Sequence, residues 1–351
     1  MDYSKYDNTT QELLKNCENL SVSGDPDAIE SLDKLRELAM SIDDNALLGY
    51  AEYYTANWYY DRPDTERYQE HLKRAVYHLL RCNEGELLAR AYNLFALDAY
   101  INEALDVAYH YYHAAIRFAE KSDNPGAVAP MVGNLAIIFY EIEDYDYARE
   151  YCRRGMELAE SFADSPYYLH NMLGGHINDG MISIRLGELQ EAQLTYEKAK
   201  MLYEQIDLSV FKDASIAFAL FELHIMLAER ELVNFDEKMD ELTDLLAYDE
   251  QPHAYIVDIK DFCKDLLENG MTDKVEEMIM SVEDKIMESG VTHAIRLLYE
   301  IKVDYNDAVQ NERNLDVCLR EQQKLLNLQR KEKMRIYNYS TQLMDIVLDL
   351  Q

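Results

Sequence analysis

The chain has 351 residues, 48% of them hydrophobic, and only 12 glycines and 6 prolines interrupt its periodic stretches; this is the composition of a large, mostly helical core. Its 34 lysines and arginines face 67 aspartates and glutamates, for a formal net charge of -33. Such a surface repels phosphate backbones and anionic lipid heads, so nucleic acid and membrane surfaces are excluded as partners of this chain by itself.

In chain order, residues 6–20 and 27–42 read as an opening helical hairpin, with Asp25-Pro26-Asp27 as the start signal of its second helix. Residues 46–310 read as a series of similar units. Each is an amphipathic helix, a short turn and a second amphipathic helix, and turn signals at Pro125-Gly126, Asp164-Ser165-Pro166, Gln251-Pro252 and Ser289-Gly290 separate them. A further turn falls at Asp61-Arg62-Pro63-Asp64, inside the second hairpin. Asn57, Asn93, Asn134 and Asn178 recur at one place in four successive first helices, spaced by 36, 41 and 44 residues. Self-similarity at such a period is the signature of a tandem helical array. A single hairpin cannot bury its apolar face, so neighbours must stack.

The C-terminal stretch differs. From Asn311 to Gln351 there is no glycine or proline. Leu315, Cys318, Gln322, Leu325, Gln329, Glu332, Ile336, Tyr339, Leu343, Ile346 and Leu350 are spaced by alternating threes and fours. This is a heptad seam with a polar middle and an apolar end. Two readings stand: a helix that caps the last repeat, or one that leaves the array and pairs with its copy in a homodimer through Leu315, Leu325, Ile336, Tyr339, Leu343, Ile346 and Leu350. The absence of a stop signal in MDIVLDLQ leads us to expect an output domain beyond it.

The chemistry-bearing residues are sparse in pattern. There is no phosphate-cradling glycine loop, no GxSxG and no HExxH. His110 and His113 share a helix face but lack further ligands at metal spacing, so neither a metal nor a cofactor is expected. The five cysteines are far apart and odd in number, which points to buried thiols in a reducing, cytoplasmic setting. The N-terminus carries no signal-peptide pattern, and no apolar run is long enough to span a membrane. Carboxylate pairs are everywhere in so acidic a chain and carry no information about acid–base catalysis. We expect a non-enzymatic protein.

The units resemble tetratricopeptide repeats. Gly180, Gly187-Glu188-Leu189, Ala192, Tyr196 and Ala199 fall where that repeat places its small and turn residues. So do Asn134-Leu135-Ala136, Glu143-Asp144-Tyr145, Ala148, Cys152 and Gly155, and also Asn93-Leu94, Ala108, Tyr112 and Ala115. The resemblance implies an all-α, right-handed α-solenoid of helix hairpins, here ending in a long C-terminal helix, with an opening hairpin at 1–45, the array at 46–310 and a connector at 311–351. It also implies that the first helices line a groove for a peptide or protein, with Asn57, Trp58, Asn93, Asn134 and Asn178 as candidate groove residues. An asparagine offers both a donor and an acceptor to an extended backbone; the other reading is that it satisfies local groups at a common position of the repeat. The layout of repeats followed by a connecting helix resembles the N-terminal sensor region of bacterial GGDEF-family diguanylate cyclases, implying a signal-input module whose cyclase lies beyond residue 351. The alternatives are a free-standing receptor similar to the quorum-sensing peptide receptors of Gram-positive bacteria, and a passive protein-binding scaffold.

Overall fold

The computed structural model describes residues 3–60, 62, 64–82, 84–122, 128–165 and 167–349. The turns expected at Asp61-Arg62-Pro63-Asp64, at Pro125-Gly126 and at Pro166 lie wholly or partly outside these residues, as does Leu350. Among the described residues are sixteen α-helices and no strand. The chain divides into two compact units, Met1–Ala127 with Glu332–Gln351, and Val128–Lys331. This division does not follow the boundaries expected near residues 45 and 310.

The first unit holds three hairpins: α1 (Asn8–Val22) with α2 (Ala28–Ser41), α3 (Asn45–Tyr60) with α4 (Thr65–Cys82), and α5 (Gly85–Ile101) with α6 (Leu105–Ala119). In the second, α7 (Val128–Glu141) pairs with α8 (Tyr145–Glu160), α9 (Tyr168–Arg185) with α10 (Leu189–Tyr203), α11 (Asp213–Glu229) with α12 (Phe235–Tyr248), and α13 (Ile256–Glu268) with α14 (Thr272–Ser289). Then come α15 (Thr292–Ala308) and the long α16 (Glu312–Asp349).

The two helices of a hairpin differ in kind. Several first helices, α3, α5 and α11 among them, are apolar around most of their circumference: α5 buries Leu87, Leu88, Ala91, Tyr92, Leu94 and Phe95. Second helices bury a single stripe: α8 sinks Ala148, Cys152, Gly155 and Ala159 and leaves a charged outer face. The first helix is thus sandwiched and the second faces water on one side. The turn between them repeats. Glu103, Glu143, Gly187, Gly270 and Gln310 all take the left-handed conformation, with φ between 55° and 74°. In each case the next residue's N–H reaches back five residues, as from Asp144 to the Phe139 carbonyl at 2.9 Å and from Glu188 to the Ser183 carbonyl at 2.9 Å. This 6→1 bond satisfies a carbonyl at the helix end and reverses the chain.

Helices approach closely where side chains vanish. A Cβ on Gly180 would overlap the buried Phe221 ring and stand 2.9 Å from Thr195 Oγ1, whereas one on Gly174, on the exposed side of the same α9, would meet nothing within 4 Å. Gly180→Ala should therefore lower stability by ~1–3 kcal/mol through overpacking. Gly174→Ala should raise it by about 0.5–1 kcal/mol through helix propensity. Thermal melts of the two variants against the parent chain check both signs.

The final turns of α16 belong to the first unit, and their apolar face is occupied there. Ile336, Tyr339 and Leu343 are buried. The Tyr339 ring packs on Phe95 with centroids 4.8 Å apart, and its hydroxyl donates to the Gln69 carbonyl at 2.8 Å. Tyr111 donates to Ser340 Oγ at 2.8 Å and Tyr337 to Asp106 at 2.7 Å. Of the residues expected to form a homodimer seam, Ile336, Tyr339 and Leu343 are thus covered by helices of their own chain. Leu315, Leu325 and Ile346 are half-buried.

Asp98 lies in the same part of the unit, buried and accepting hydrogen bonds from Gln69 Nε2 at 3.0 Å and Asn102 Nδ2 at 3.1 Å. Burial pushes its carboxyl up to about 6 against these bonds. A folded pKa above the unfolded one means the proton is held more tightly in the fold. The resulting stability is complete below the unfolded pKa near 4 and is lost as pH rises through about 6. Asp98→Asn should therefore be more stable than the parent chain at neutral pH, with the advantage disappearing on acidification toward pH ~4. A pH series of urea denaturation curves measures the difference.

Candidate recognition surface

The first helices of successive hairpins neighbour one another: α1, α3 and α5 in the first unit, and α7, α9, α11, α13 and α15 in the second. In the second unit this row carries a polar network that runs across four helices. Arg185, the last residue of α9, donates from Nε to the Tyr140 hydroxyl of α7 at 2.9 Å, from one Nη to Asp265 of α13 at 2.7 Å and from the other to Asp261 at 2.6 Å. Tyr140 in turn donates to Asp261 at 3.1 Å. His224 of α11, itself buried, meets the other Asp265 oxygen through Nδ1 at 2.8 Å, with its ring edge-on to Phe262. A planar guanidinium with five fixed donors suits this junction as an ammonium would not.

The electrostatics follow from the contacts. Burial pushes the Asp265 carboxyl up, but the bonds and charges of His224 and Arg185 outweigh it and hold the carboxyl below its usual range. Burial works against the Arg185 charge too, and Asp265, Tyr140 and Asp261 together drive its pKa above the ordinary value. Burial and then the Asp261 charge raise the Tyr140 hydroxyl. Asp258, one turn before Asp261, keeps solvent contact yet is crowded by protein. That crowding, with the like charges of Asp261 and Glu141, lifts its carboxyl to about 6 although His224 pulls the other way.

The sequence-predicted groove residues fall into two pairs. Asn134 on α7 and Asn178 on α9 belong to the second unit and are half-buried. Asn178 lies two turns before Arg185, on the same face of α9. Asn57 and Asn93 belong to the first unit. Asn57 donates to Ser21 Oγ at 3.2 Å, and Trp58 donates from its indole to the Asp25 carbonyl at 2.9 Å beneath the Arg62 guanidinium, 3.5 Å above the ring centroid. These two residues staple the end of α3 to the α1–α2 turn, so their polar groups serve the fold locally. Of the aromatics on the first helices, Tyr53, Tyr54 and Tyr92 are core, and Phe139 stacks against Tyr147 and Tyr151 of α8. The network residues Arg185, His224, Asp261 and Asp265 were not singled out by sequence. The available signals were a histidine within the apolar FALFELHIML of α11 and an i,i+4 aspartate pair on α13.

Two comparisons show what the chain is similar to. A Rap protein crystallised in complex with competence and sporulation factor superposes with a TM-score of 0.60 at 13% identity, covering 98% of this chain and 99% of that one. The apo form of RapI gives a TM-score of 0.53 at 14% identity, covering 88% and 99%. No protein-family model matches the sequence, and no curated protein sequence matches it. At these identities the likeness is one of fold: a TPR-like, all-helical array of hairpins. It does not extend to the cyclase sensor region suggested by the layout. No helix among the described residues is long and apolar enough to cross a membrane.

One guanidinium joins α9 to α7 and α13, and α11 joins through His224 on Asp265. Arg185→Met would leave Asp265 with His224 alone and Asp261 with the Tyr140 hydroxyl alone and should cost ~3 kcal/mol, whereas Tyr140→Phe removes one partner and should cost about 1 kcal/mol. Hydrogen exchange in α13, alongside urea denaturation, should report the same order.

Proposed function

We propose that the chain is a non-catalytic recognition protein that binds an extended peptide or protein segment along the first helices of its second unit, with Asn134 and Asn178 addressing the ligand backbone. The observation that carries this reading is the near-complete fold match to a protein crystallised with competence and sporulation factor. The row of helices from α7 to α15 supports it physically, because it carries the half-buried Asn134 and Asn178 as well as the fixed charges of Arg185, Asp261 and Asp265. Buried amides that pair with a backbone discriminate strongly against ligands that leave them unpaired. The free-standing receptor is thus preferred to the cyclase-input module. The latter needs a helix that dimerises, and the apolar end of α16 is engaged within the chain.

The test is selection of linear peptides from a displayed library on the full chain. Peptides enriched on the parent chain should lose about tenfold or more in affinity for the Asn134→Ala/Asn178→Ala double variant, roughly 1.4 kcal/mol. Melting curves of the double variant and the parent chain, recorded alongside, separate a loss of binding from a loss of fold. Enriched peptides that bind parent and variant alike would remove these asparagines from the site.

A further inference from the structure

The first unit contains a second polar assembly, remote in sequence from the proposed peptide site and unlike it in chemistry. A cavity of about 190 Å³ opens among α2, α3 and α4. It is lined by Asp33, Arg36, Thr55, Tyr59, Arg67 and His71, with Ile29 and Leu32 as its apolar part. Two guanidiniums and an imidazole around one small cavity are unusual in a chain of net charge -33.

Behind the wall sits Glu52, a carboxylate in the middle of the apolar α3 and only 4% exposed. It accepts from Arg36 Nε at 2.8 Å and meets His71 Nδ1 at 2.6 Å. Burial raises its pKa, but these two partners prevail and keep it ionised. A carboxylate only accepts, so Nδ1 carries the proton of that contact and the imidazole turns Nε2 the other way. The ring is held by Tyr59, which lies parallel to it at a centroid distance of 5.9 Å and an interplanar angle of 3°. Arg67 is aligned by a bond from Nη1 to the Tyr59 hydroxyl at 3.1 Å.

The remaining partners of the two arginines are weak. Asp33 pairs with Arg36 and Asp64 with Arg67, both at i,i+3; Asp33, Asp64 and Arg67 are well exposed, whereas Arg36 is 20% exposed and also donates from Nη2 to Thr55 Oγ1 at 3.3 Å. Exposed pairs of this kind contribute little net stability, so an incoming anion can replace them. Glu52 instead holds Arg36 Nε and His71 Nδ1, so an incoming anion competes with Asp33 and Thr55 for the two Nη atoms of Arg36.

We propose that this cavity is a binding site for a small organic anion, a carboxylate or phosphate head on an apolar, single-ring body. Arg36 and Arg67 grip the head, and the body lies against Tyr59 and Leu32. The cavity volume equals that of about six waters, which suits one ring and its head group. Glu52 is a positioning residue in this arrangement.

The probes are benzoate and phenyl phosphate, with benzamide as the neutral counterpart, titrated into the full chain by calorimetry and thermal shift. Ionic strength is held constant, because any salt screens the self-repulsion of so acidic a protein. We expect at least one of the two anions to bind and raise the melting temperature; the tighter one identifies the head group. Arg67 is mostly exposed, so Arg67→Gln should melt like the parent chain without ligand yet bind the anion about tenfold more weakly. The proposal is overturned if neither anion binds the parent chain up to about 10 mM. It is equally overturned if benzamide binds as well as benzoate, or if Arg67→Gln binds like the parent. Because both probes lack a peptide backbone, these outcomes are independent of peptide recognition by the second unit.

Discussion

The constraint on which the structure depends is that no hairpin can bury its first helix alone. Helices such as α5 and α11 are apolar on nearly every side, so each needs its own second helix on one flank and neighbouring hairpins on the others. Burial of apolar side chains drives the stacking at roughly 25 cal/mol per Å². The distances are set by small residues: Gly155 brings α8 so near α7 that a Cβ would stand 3.2 Å from the Gly133 amide nitrogen. The left-handed turn then recurs in pair after pair, at Glu103, Glu143, Gly187 and Gly270.

That constraint explains why polar groups on first helices behave unlike those elsewhere. A charge on a second helix faces water and is inexpensive. A charge on a first helix is taken out of water and must be met from several directions. Glu52 is met by Arg36 of α2 and His71 of α4; Arg185 is met by Tyr140, Asp261 and Asp265 from α7 and α13. Each assembly ties together helices that apolar packing alone would allow to slide. Desolvation opposes both, and what they supply is register: a guanidinium with three oriented partners tolerates little displacement along a helix axis.

Much of this was legible in the sequence, for physical reasons. The hairpins could be read because helical periodicity and turn residues are local, and the small helix-B positions of α8 and α10 could be read because steric exclusion leaves few choices there. The polar assemblies could not. Arg185 and Asp265 are separated by 80 residues, and in so acidic a chain no sequence rule selects which carboxylates an arginine will find. The fate of α16 was undetermined for a similar reason: a heptad stripe states that an apolar face must be covered and is silent on whether the cover is a second copy or the chain itself. Tyr339 settles it locally, because its hydroxyl finds the Gln69 carbonyl and its ring finds Phe95. Trp58, an apparent ligand anchor by sequence, is held by Asp25 and Arg62, a pairing that depends on where the α1–α2 turn arrives.

The two assemblies are inverses in charge. In the first unit a buried carboxylate orients Arg36 and His71 at the wall of a cavity; in the second a partly buried cation orients carboxylates along a row of helices. A site that holds its charges fixed by inner partners avoids reorganising them when a ligand arrives, which is where much of the binding free energy is otherwise lost. The sign of the outward-facing charge then selects the ligand. Arg36 and Arg67 favour an anion, whereas the carboxylates of Asp258, Asp261 and Asp265 around Arg185 repel one. Ligand chemistry in this fold is therefore set less by the net charge of the chain than by which member of each fixed pair is turned inward.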